Sequence, residues 1–190
     1  MKLNAKELRD VNENDLEVAE KLKLIKRRPI YFILENIYDT YNIGGLFRLA
    51  DALSVEKIYI CGESEIPPNS KIKKASIGTY KVVNWEYKKT AREAIDDLNS
   101  KFQIPRSKQI PNSKIQIIAV EQHKNSIPYQ KADYSLPLAL ILGNETYGVT
   151  KETIKLADQV VEIPMFGVNK SLNVIVSAAI VSYWITMAIG

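Results

Sequence analysis

The chain has 190 residues, of which 46% are hydrophobic and 25% are charged, and this length and composition are typical of one globular domain with one core. Its 26 lysines and arginines exceed its 22 acidic residues and give a net charge of +4, which favours a polyanionic partner but equally suits a solvated basic surface. Because Cys61 and His123 are the only residues of their types, the sequence argues against a disulfide framework, a zinc site, a Cys-His pair and a Ser-His-Asp triad, and no metal is expected.

The first 28 residues are polar and charged. They are predicted to form an N-terminal extension with one amphipathic helix, which carries Leu16, Ala19 and Leu22 and ends before Pro29. No apolar run typical of a secretory signal is present at this end, so a reducing, cytoplasmic location is expected.

The remaining chain, residues 29–190, alternates apolar runs of strand length with segments of helical periodicity. Strands are predicted at 30–34, 57–61, 114–120, 138–142 and 159–163, and helices at 43–53, at 90–100, from about 150 and near the C-terminus. This alternation predicts an α/β fold, in which a mostly parallel sheet carries helices on both faces.

No residue between Ser171 and Gly190 is charged, and this length is sufficient for a transmembrane helix. Serine, asparagine and threonine residues interrupt the segment, however, and no basic cluster follows it. We therefore expect a helix that is buried in the fold or in a dimer interface, with a membrane tail anchor as the less favoured alternative.

The first segment suited to chemistry is 42–48. Asn42 is predicted to cap the helix, whose apolar residues share one face and leave Arg48 on the opposite, accessible face. A guanidinium in this position matches the oxygens of a phosphate group. A routine capping asparagine and an exposed helical arginine explain the same pattern.

The second segment is a buried strand that runs into a loop bounded by Gly143 and Gly148. Asn144 and Glu145 follow the carboxyl end of this strand, which is where open α/β sheets bind their ligands. The glycine spacing matches neither a Walker loop nor a dinucleotide-binding loop. A purely structural turn between strand and helix is an equally good interpretation.

The third segment begins where a strand ends at Pro164. A loop containing a glycine follows, and then Ser171 and Asn173 open an otherwise apolar helix. Ser171 suits the role of a helix cap, whereas a buried Asn173 inside the helix needs a hydrogen-bonding partner.

Taken together, these segments resemble the three ordered motifs of the SpoU/TrmH branch of the SPOUT methyltransferases, from about residue 30 to the C-terminus. The motifs are Asn42 with Arg48, Gly143-Asn144-Glu145 with Gly148, and Ile163-Pro164-Met165 with Ser171-Leu172-Asn173. The resemblance implies a homodimer that uses S-adenosylmethionine (SAM) to methylate a ribose 2′-hydroxyl of RNA. It also implies a trefoil knot at about 138–190, an exception to the rule that chains do not thread through themselves.

The resemblance also implies roles for individual residues. Those expected to line the SAM pocket are Val120, Gly143, Asn144, Glu145, Gly148, Ile163, Met165, Ser171 and Leu172. Those expected around the methyl group and the ribose are Asn42, Arg48, Glu145, Ser171 and Asn173. Family proposals give Arg48 a part in deprotonation, but a guanidinium holds its proton tightly. We therefore interpret Arg48 as the group that grips a phosphate and stabilises the developing alkoxide.

Basic residues between the first two motifs predict an RNA-binding surface. They are Lys71, Lys73, Lys74 and Lys81, with Tyr80, Trp85 and Tyr87 interleaved. Lysines and aromatic rings together suit a phosphate backbone with splayed bases, although a solvated face explains the lysines as well. A tRNA is favoured over rRNA because no large RNA-binding domain is recognisable. The alternatives are an rRNA 2′-O-methyltransferase, a methyltransferase for a base nitrogen, and a non-catalytic RNA-binding paralogue.

Overall fold

The computed structural model describes residues 2–12, 15–103 and 114–189. Within these residues the strands are β1 (Arg28–Glu35), β2 (Val55–Cys61), β3 (Trp85–Lys88), β4 (Gln116–Val120), β5 (Ile127–Pro128), β6 (Leu138–Leu142) and β7 (Gln159–Glu162). The α-helices are α1 (Ala5–Asp10), α2 (Leu16–Lys23), α3 (Thr40–Ala52), α4 (Ser70–Ser76), α5 (Ala91–Gln103), α6 (Lys151–Ile154) and α7 (Val174–Ile189). The strands form one sheet in the order β3-β2-β1-β6-β4-β7-β5, and every neighbouring pair is parallel.

Two hydrophobic cores lie on opposite faces of this sheet. On β1, Phe32 and Leu34 contribute to the core beneath α3 and α7, whereas Tyr31 and Ile33 contribute to the core beneath α5. The alternation follows from the two-residue period of a strand, and burial on both faces explains why β1 and β6 are continuous apolar runs. The prediction of a parallel α/β fold with helices on both faces is confirmed.

The four central strands β1, β6, β4 and β7 end side by side. Leu34 of β1 is aligned with Leu142 of β6, Leu142 with Val120 of β4, and Val120 with Val161 of β7. Because the four strands are parallel and in register, the loops that follow them all leave the sheet at the same edge.

Helix α3 begins three residues earlier than the sequence indicated. Its cap is Asp39, whose carboxylate accepts a hydrogen bond from the backbone NH of Tyr41 at 2.8 Å. The prediction that Asn42 caps this helix is therefore wrong, because aspartate is as good a cap as asparagine and stands three positions earlier. As a result Asn42 lies inside the first turn, and its side chain is available for other contacts.

The extension and the segment after β2 also differ from expectation. Instead of one amphipathic helix, the first 28 residues contain two short helices, α1 and α2, capped by Asn4 and Asp15. Helix α4 occupies a stretch for which neither a helix nor a strand was predicted. The boundary between an extension and a domain at residue 28 stays a prediction.

The uncharged C-terminal segment forms α7, and Val174, Ala178, Val181 and Ile185 are buried in the core that it shares with α3. In the described part of the chain, no helix has the length and apolar character needed to cross a membrane. The prediction of a helix packed into the fold is confirmed, whereas the knot stays a prediction.

Candidate functional site

A cavity of about 440 Å³ opens where the loops after β4, β6 and β7 meet the start of α7. Its lining includes all nine residues that the resemblance assigned to the SAM pocket, namely Val120, Gly143, Asn144, Glu145, Gly148, Ile163, Met165, Ser171 and Leu172. It also includes Glu121, Gln122, Glu162 and Lys170, which the sequence did not single out. The structure therefore brings the second and third motifs together around one space.

The loop after β6 is held in shape by Asn144. The backbones of Asn144 and Gly148 exchange two hydrogen bonds of 3.1 and 2.8 Å, and the Asn144 side-chain oxygen accepts from the backbone NH groups of Thr146 and Tyr147. The Asn144 amide nitrogen donates to the carbonyl of Asn36 at 2.8 Å. The side chain of Asn144 is thus committed to the loop and forms a fixed part of the cavity wall.

Glycine is required at both ends of this loop. A Cβ atom on Gly143 would lie 2.3 Å from the backbone of Gly148 and Val149, which is too close for any side chain. Gly148 has a φ of +69°, and a Cβ atom there would lie 2.0 Å from Glu121 Oε2. That Glu121 oxygen accepts a hydrogen bond of 2.8 Å from the NH of Val149, so it joins the loops after β4 and β6.

A chain of hydrogen bonds links one residue from each motif at the edge of the cavity. The Asn42 amide nitrogen donates to Glu145 Oε1 at 2.5 Å, and the Asn173 amide nitrogen donates to Asn42 Oδ1 at 2.9 Å. Asn42 is only 5% exposed, so both of its side-chain groups are buried and satisfied. We call Asn42, Glu145 and Asn173 the polar triad.

The start of α7 orients the last member of the polar triad. Asn173 precedes the helix, and its side-chain oxygen accepts from the backbone NH of Ile175 at 2.8 Å while its nitrogen reaches Asn42. Asn173 therefore performs the capping that the sequence suggested for Ser171, which is exposed and lines the cavity. The sequence placed Asn173 inside the helix and called for a partner if its side chain were buried; Asn173 instead lies exposed just before the helix, and its side chain pairs with Asn42.

Arg48 is exposed on α3 and takes no part in the hydrogen bonds of the polar triad. Among the described residues it has neither a hydrogen bond nor an ion pair, so its guanidinium is free to meet a ligand. The neighbouring helix α4 packs so closely on α3 that a Cβ atom on Gly44 would lie 2.5 Å from the Cβ atom of Ala75. The exposed Lys71, Lys73 and Lys74 therefore belong to the helix next to the one that carries Arg48.

Other members of the predicted RNA surface have partners within the protein. The Lys81 ammonium donates to the carbonyls of Arg9 and Val11, at 3.0 and 2.6 Å, and so holds the end of α1. Trp85 packs edge-on against Phe47, with 6.4 Å between ring centroids. Lys81 and Trp85 contribute to the structure, whatever else they bind.

Glu35, at the end of β1, is a buried carboxylate that the sequence analysis missed. It accepts hydrogen bonds from the Thr150 NH and hydroxyl and from the Thr153 hydroxyl, at 2.9, 3.0 and 2.5 Å. These bonds attach the start of α6, and with it the end of the 143–149 loop, to the central strand. The available signal was an acidic residue closing an otherwise apolar strand.

We expect Glu35→Ala to lower the free energy of unfolding by about 3 kcal/mol or more, because it leaves buried donors without acceptors at about 1–3 kcal/mol each. Urea unfolding measures this change. Glu65→Ala, which removes an exposed carboxylate, is the matched control and is expected to change stability by less than about 0.5 kcal/mol. Equal effects of the two substitutions would contradict a positioning role for Glu35.

Comparison with known proteins identifies the family. Residues 29–183 match the model of the family described as "SpoU rRNA Methylase family". The chain is 27% identical over 161 residues to the tRNA (guanosine(18)-2′-O)-methyltransferase of Escherichia coli, covering 84% of this chain and 64% of that protein. It is 27% identical over 174 residues to the 23S rRNA (guanosine-2′-O-)-methyltransferase RlmB of Neisseria meningitidis, covering 90% of this chain and 64% of that protein. The chain thus spans a little under two thirds of these relatives.

Solved structures that resemble this chain belong to enzymes of the same kind. The A. aeolicus TrmH/SpoU tRNA modifying enzyme superposes with a TM-score of 0.72 at 25% identity, covering 90% of this chain and 84% of that one. The SpoU methyltransferase AviRb of Streptomyces viridochromogenes, in complex with AdoMet, has a TM-score of 0.73 at 23% identity, covering 92% and 62%, and shows the common fold. With a family model that spans most of its length and a sheet shared with these enzymes, the chain belongs to the SpoU methylase family, as its three motifs had indicated.

Proposed function

We propose that this protein transfers a methyl group from SAM to a ribose 2′-hydroxyl of RNA. The observation that carries the proposal is the polar triad, which joins all three motifs at the edge of one cavity. Two relatives from the same family are named as guanosine 2′-O-methyltransferases, one for tRNA and one for 23S rRNA. An RNA substrate also agrees with the cytoplasmic location expected from the sequence.

The cavity suits SAM in size and lining. Its volume of about 440 Å³ falls within the range of about 300–1,000 Å³ typical of small-molecule sites. Apolar side chains of Val120, Ile163 and Leu172 line it together with polar groups of Glu121 and Ser171, as a ligand with a ring system and polar ends requires. When bound, SAM supplies a methyl group that is already activated on a sulfonium.

The protein's own residues then have to align the ribose and stabilise the charge that develops on it. Asn42 orients the Glu145 carboxylate, and Asn173 orients Asn42, so a ribose that contacts them is aligned before reaction. Arg48 grips a phosphate of the RNA and stabilises the negative charge that develops on the 2′-oxygen.

Incubation with labelled SAM and separated tRNA and rRNA fractions tests this function, followed by nucleoside analysis of the labelled product. We expect a ribose-methylated nucleoside, with tRNA as the better substrate because the relative from Escherichia coli is named as a tRNA enzyme. A methylated base nitrogen, or SAM binding without methyl transfer to any RNA, would contradict the proposal and support the corresponding alternative.

We also propose that two copies associate through α7. Four large apolar side chains are exposed on this helix, at positions that share one face, namely Val176, Tyr183, Trp184 and Met187. An exposed apolar patch of this kind marks a protein interface, and a second copy is the partner that the family resemblance implies.

Val176→Glu combined with Met187→Glu is expected to convert the dimer to a monomer of 21.5 kDa, because it places two charges where apolar surface is buried. Light scattering coupled to gel filtration measures the mass. Leu24→Glu, at a residue that is 84% exposed next to α2, is the control and leaves the dimer intact. A monomeric wild-type protein would refute the proposal.

A further inference from the structure

Three exposed tyrosines lie close in sequence to members of the polar triad, and neither the motif residues nor the predicted RNA surface includes them, although Tyr147 also lines the cavity. Tyr38 is 48% exposed, Tyr41 49% and Tyr147 81%. Tyr41 directly precedes Asn42, and Tyr147 follows Glu145 by two residues. We call these three residues the tyrosine rim.

The backbone of the tyrosine rim is fixed although its rings face solvent. The NH of Tyr41 is bound by the Asp39 carboxylate at 2.8 Å, and the NH of Tyr147 is bound by Asn144 Oδ1 at 2.9 Å. The Tyr38 hydroxyl donates to Glu63 at 3.2 Å. This hydrogen bond is the main reason why the pKa of Tyr38 is raised, and the nearby Tyr147 adds a smaller contribution. Tyr38 is therefore uncharged at neutral pH.

The charges beside the tyrosine rim indicate what it binds. Arg48 follows Tyr41 by seven residues on α3, which places the two side chains on the same side of the helix, about 10 Å apart along its axis. A base on the ring and a phosphate on the guanidinium can thus be held by one helix. Aromatic rings next to unpaired cations are characteristic of surfaces that bind RNA with unstacked bases.

We propose that the tyrosine rim stacks unpaired nucleobases flanking the target ribose, so that the enzyme takes its substrate from a single-stranded segment of RNA. This inference rests on the RNA methyltransferase function proposed above and adds the side chains that hold the bases. It adds to the aromatic residues first expected to hold bases, of which Trp85 also packs against Phe47 in the protein.

Binding of a short fluorescent single-stranded RNA, measured by anisotropy, tests the proposal. Tyr41→Ala and Tyr147→Ala are each expected to weaken binding by about 5- to 150-fold, the range typical of a lost base stack, while Tyr41→Phe and Tyr147→Phe bind within about twofold of the wild type. The same RNA annealed into a duplex is expected to bind more weakly to the wild type and to show no effect of the alanine substitutions.

An abasic ribose-phosphate chain of the same length separates stacking from a general loss of structure. The wild-type protein and its alanine variants are expected to bind this chain equally, because it offers no ring to stack. Alanine variants that bind the normal RNA as tightly as the wild type, or that lose equal affinity for the abasic chain, would overturn the proposal.

Methyl transfer to total tRNA distinguishes the two proposals. Tyr41→Ala is expected to raise the KM for RNA more than it lowers kcat, with the SAM dissociation constant unchanged. If the wild-type protein methylates RNA and the alanine variants do so with unchanged KM, the rim proposal fails and the function stands. If the wild type methylates no RNA, the function fails, and the rim is then judged by the binding measurements alone.

Discussion

Arg48→Ala is expected to lower kcat/KM for RNA methylation by about 10²- to 10³-fold, the loss typical when one group that stabilises developing negative charge is removed. Arg48 lies exposed on α3 and has no partner among the described residues, so its removal leaves no buried group unsatisfied. SAM affinity and the free energy of unfolding should therefore stay at wild-type values. Arg48→Lys is expected to retain part of the activity, because an ammonium keeps the charge but loses the two-pronged geometry.

Arg92→Ala is the matched control, since Arg92 is exposed on α5, over the opposite core. Arg92→Ala changes the net charge of the protein by the same amount as Arg48→Ala and should leave turnover within about twofold of the wild type. Steady-state kinetics with labelled SAM measure the effect on turnover, and calorimetric titration of SAM measures the effect on cofactor affinity. Unchanged turnover in Arg48→Ala would exclude Arg48 from both phosphate binding and charge stabilisation.

Gly143→Ala is expected to abolish measurable SAM binding, and with it methyl transfer. Its new methyl group would lie 2.3 Å from the backbone of Gly148 and Val149, and a backbone, unlike the end of a flexible side chain, cannot move aside alone. The loop must therefore open and move one wall of the cavity. A displacement of about 1 Å is enough to lower the reaction rate at a positioned site by about 10²-fold.

Gly167→Ala provides the control in the same region, because a Cβ atom at Gly167 meets no atom within 4 Å. Calorimetric titration of SAM into both variants, with thermal unfolding of each, measures the outcome. If Gly143→Ala binds SAM as tightly as Gly167→Ala does, the 143–149 loop does not form the cofactor wall.

The sheet was largely predictable because its strands are defined by local pattern. Leu138–Leu142 was predicted to the residue, since a run of five apolar side chains between Pro137 and Gly143 fits a buried strand of that length. Helix α4 was missed because it has seven residues and buries only Ile72 and Ser76, which is too short a pattern to show helical periodicity.

The site was predictable only as far as local chemistry allowed. The motifs indicated which residues meet, but Asp39 and Asn42 are equally good helix caps by residue type. Only the contact between Asn42 and Glu145, which are 103 residues apart, shows that Asn42 belongs to the site and does not cap the helix. Glu35 escaped notice for the same reason. Its partners Thr150 and Thr153 are 115 and 118 residues away along the chain, and no periodicity connects them.

The polar triad closes contacts across 103 and 131 residues of sequence, the second of them from Asn173 just before the last helix. Contacts that are so distant along the chain form late, because the loops between them must first be ordered, and parallel sheets fold slowly for this reason. Asn42 on α3 and Glu145 after β6 form the first of these contacts, and Asn173 joins them only when α7 has packed against α3. The polar triad is therefore complete only when α3, the loop after β6 and the start of α7 have come together, and a partly folded chain lacks it.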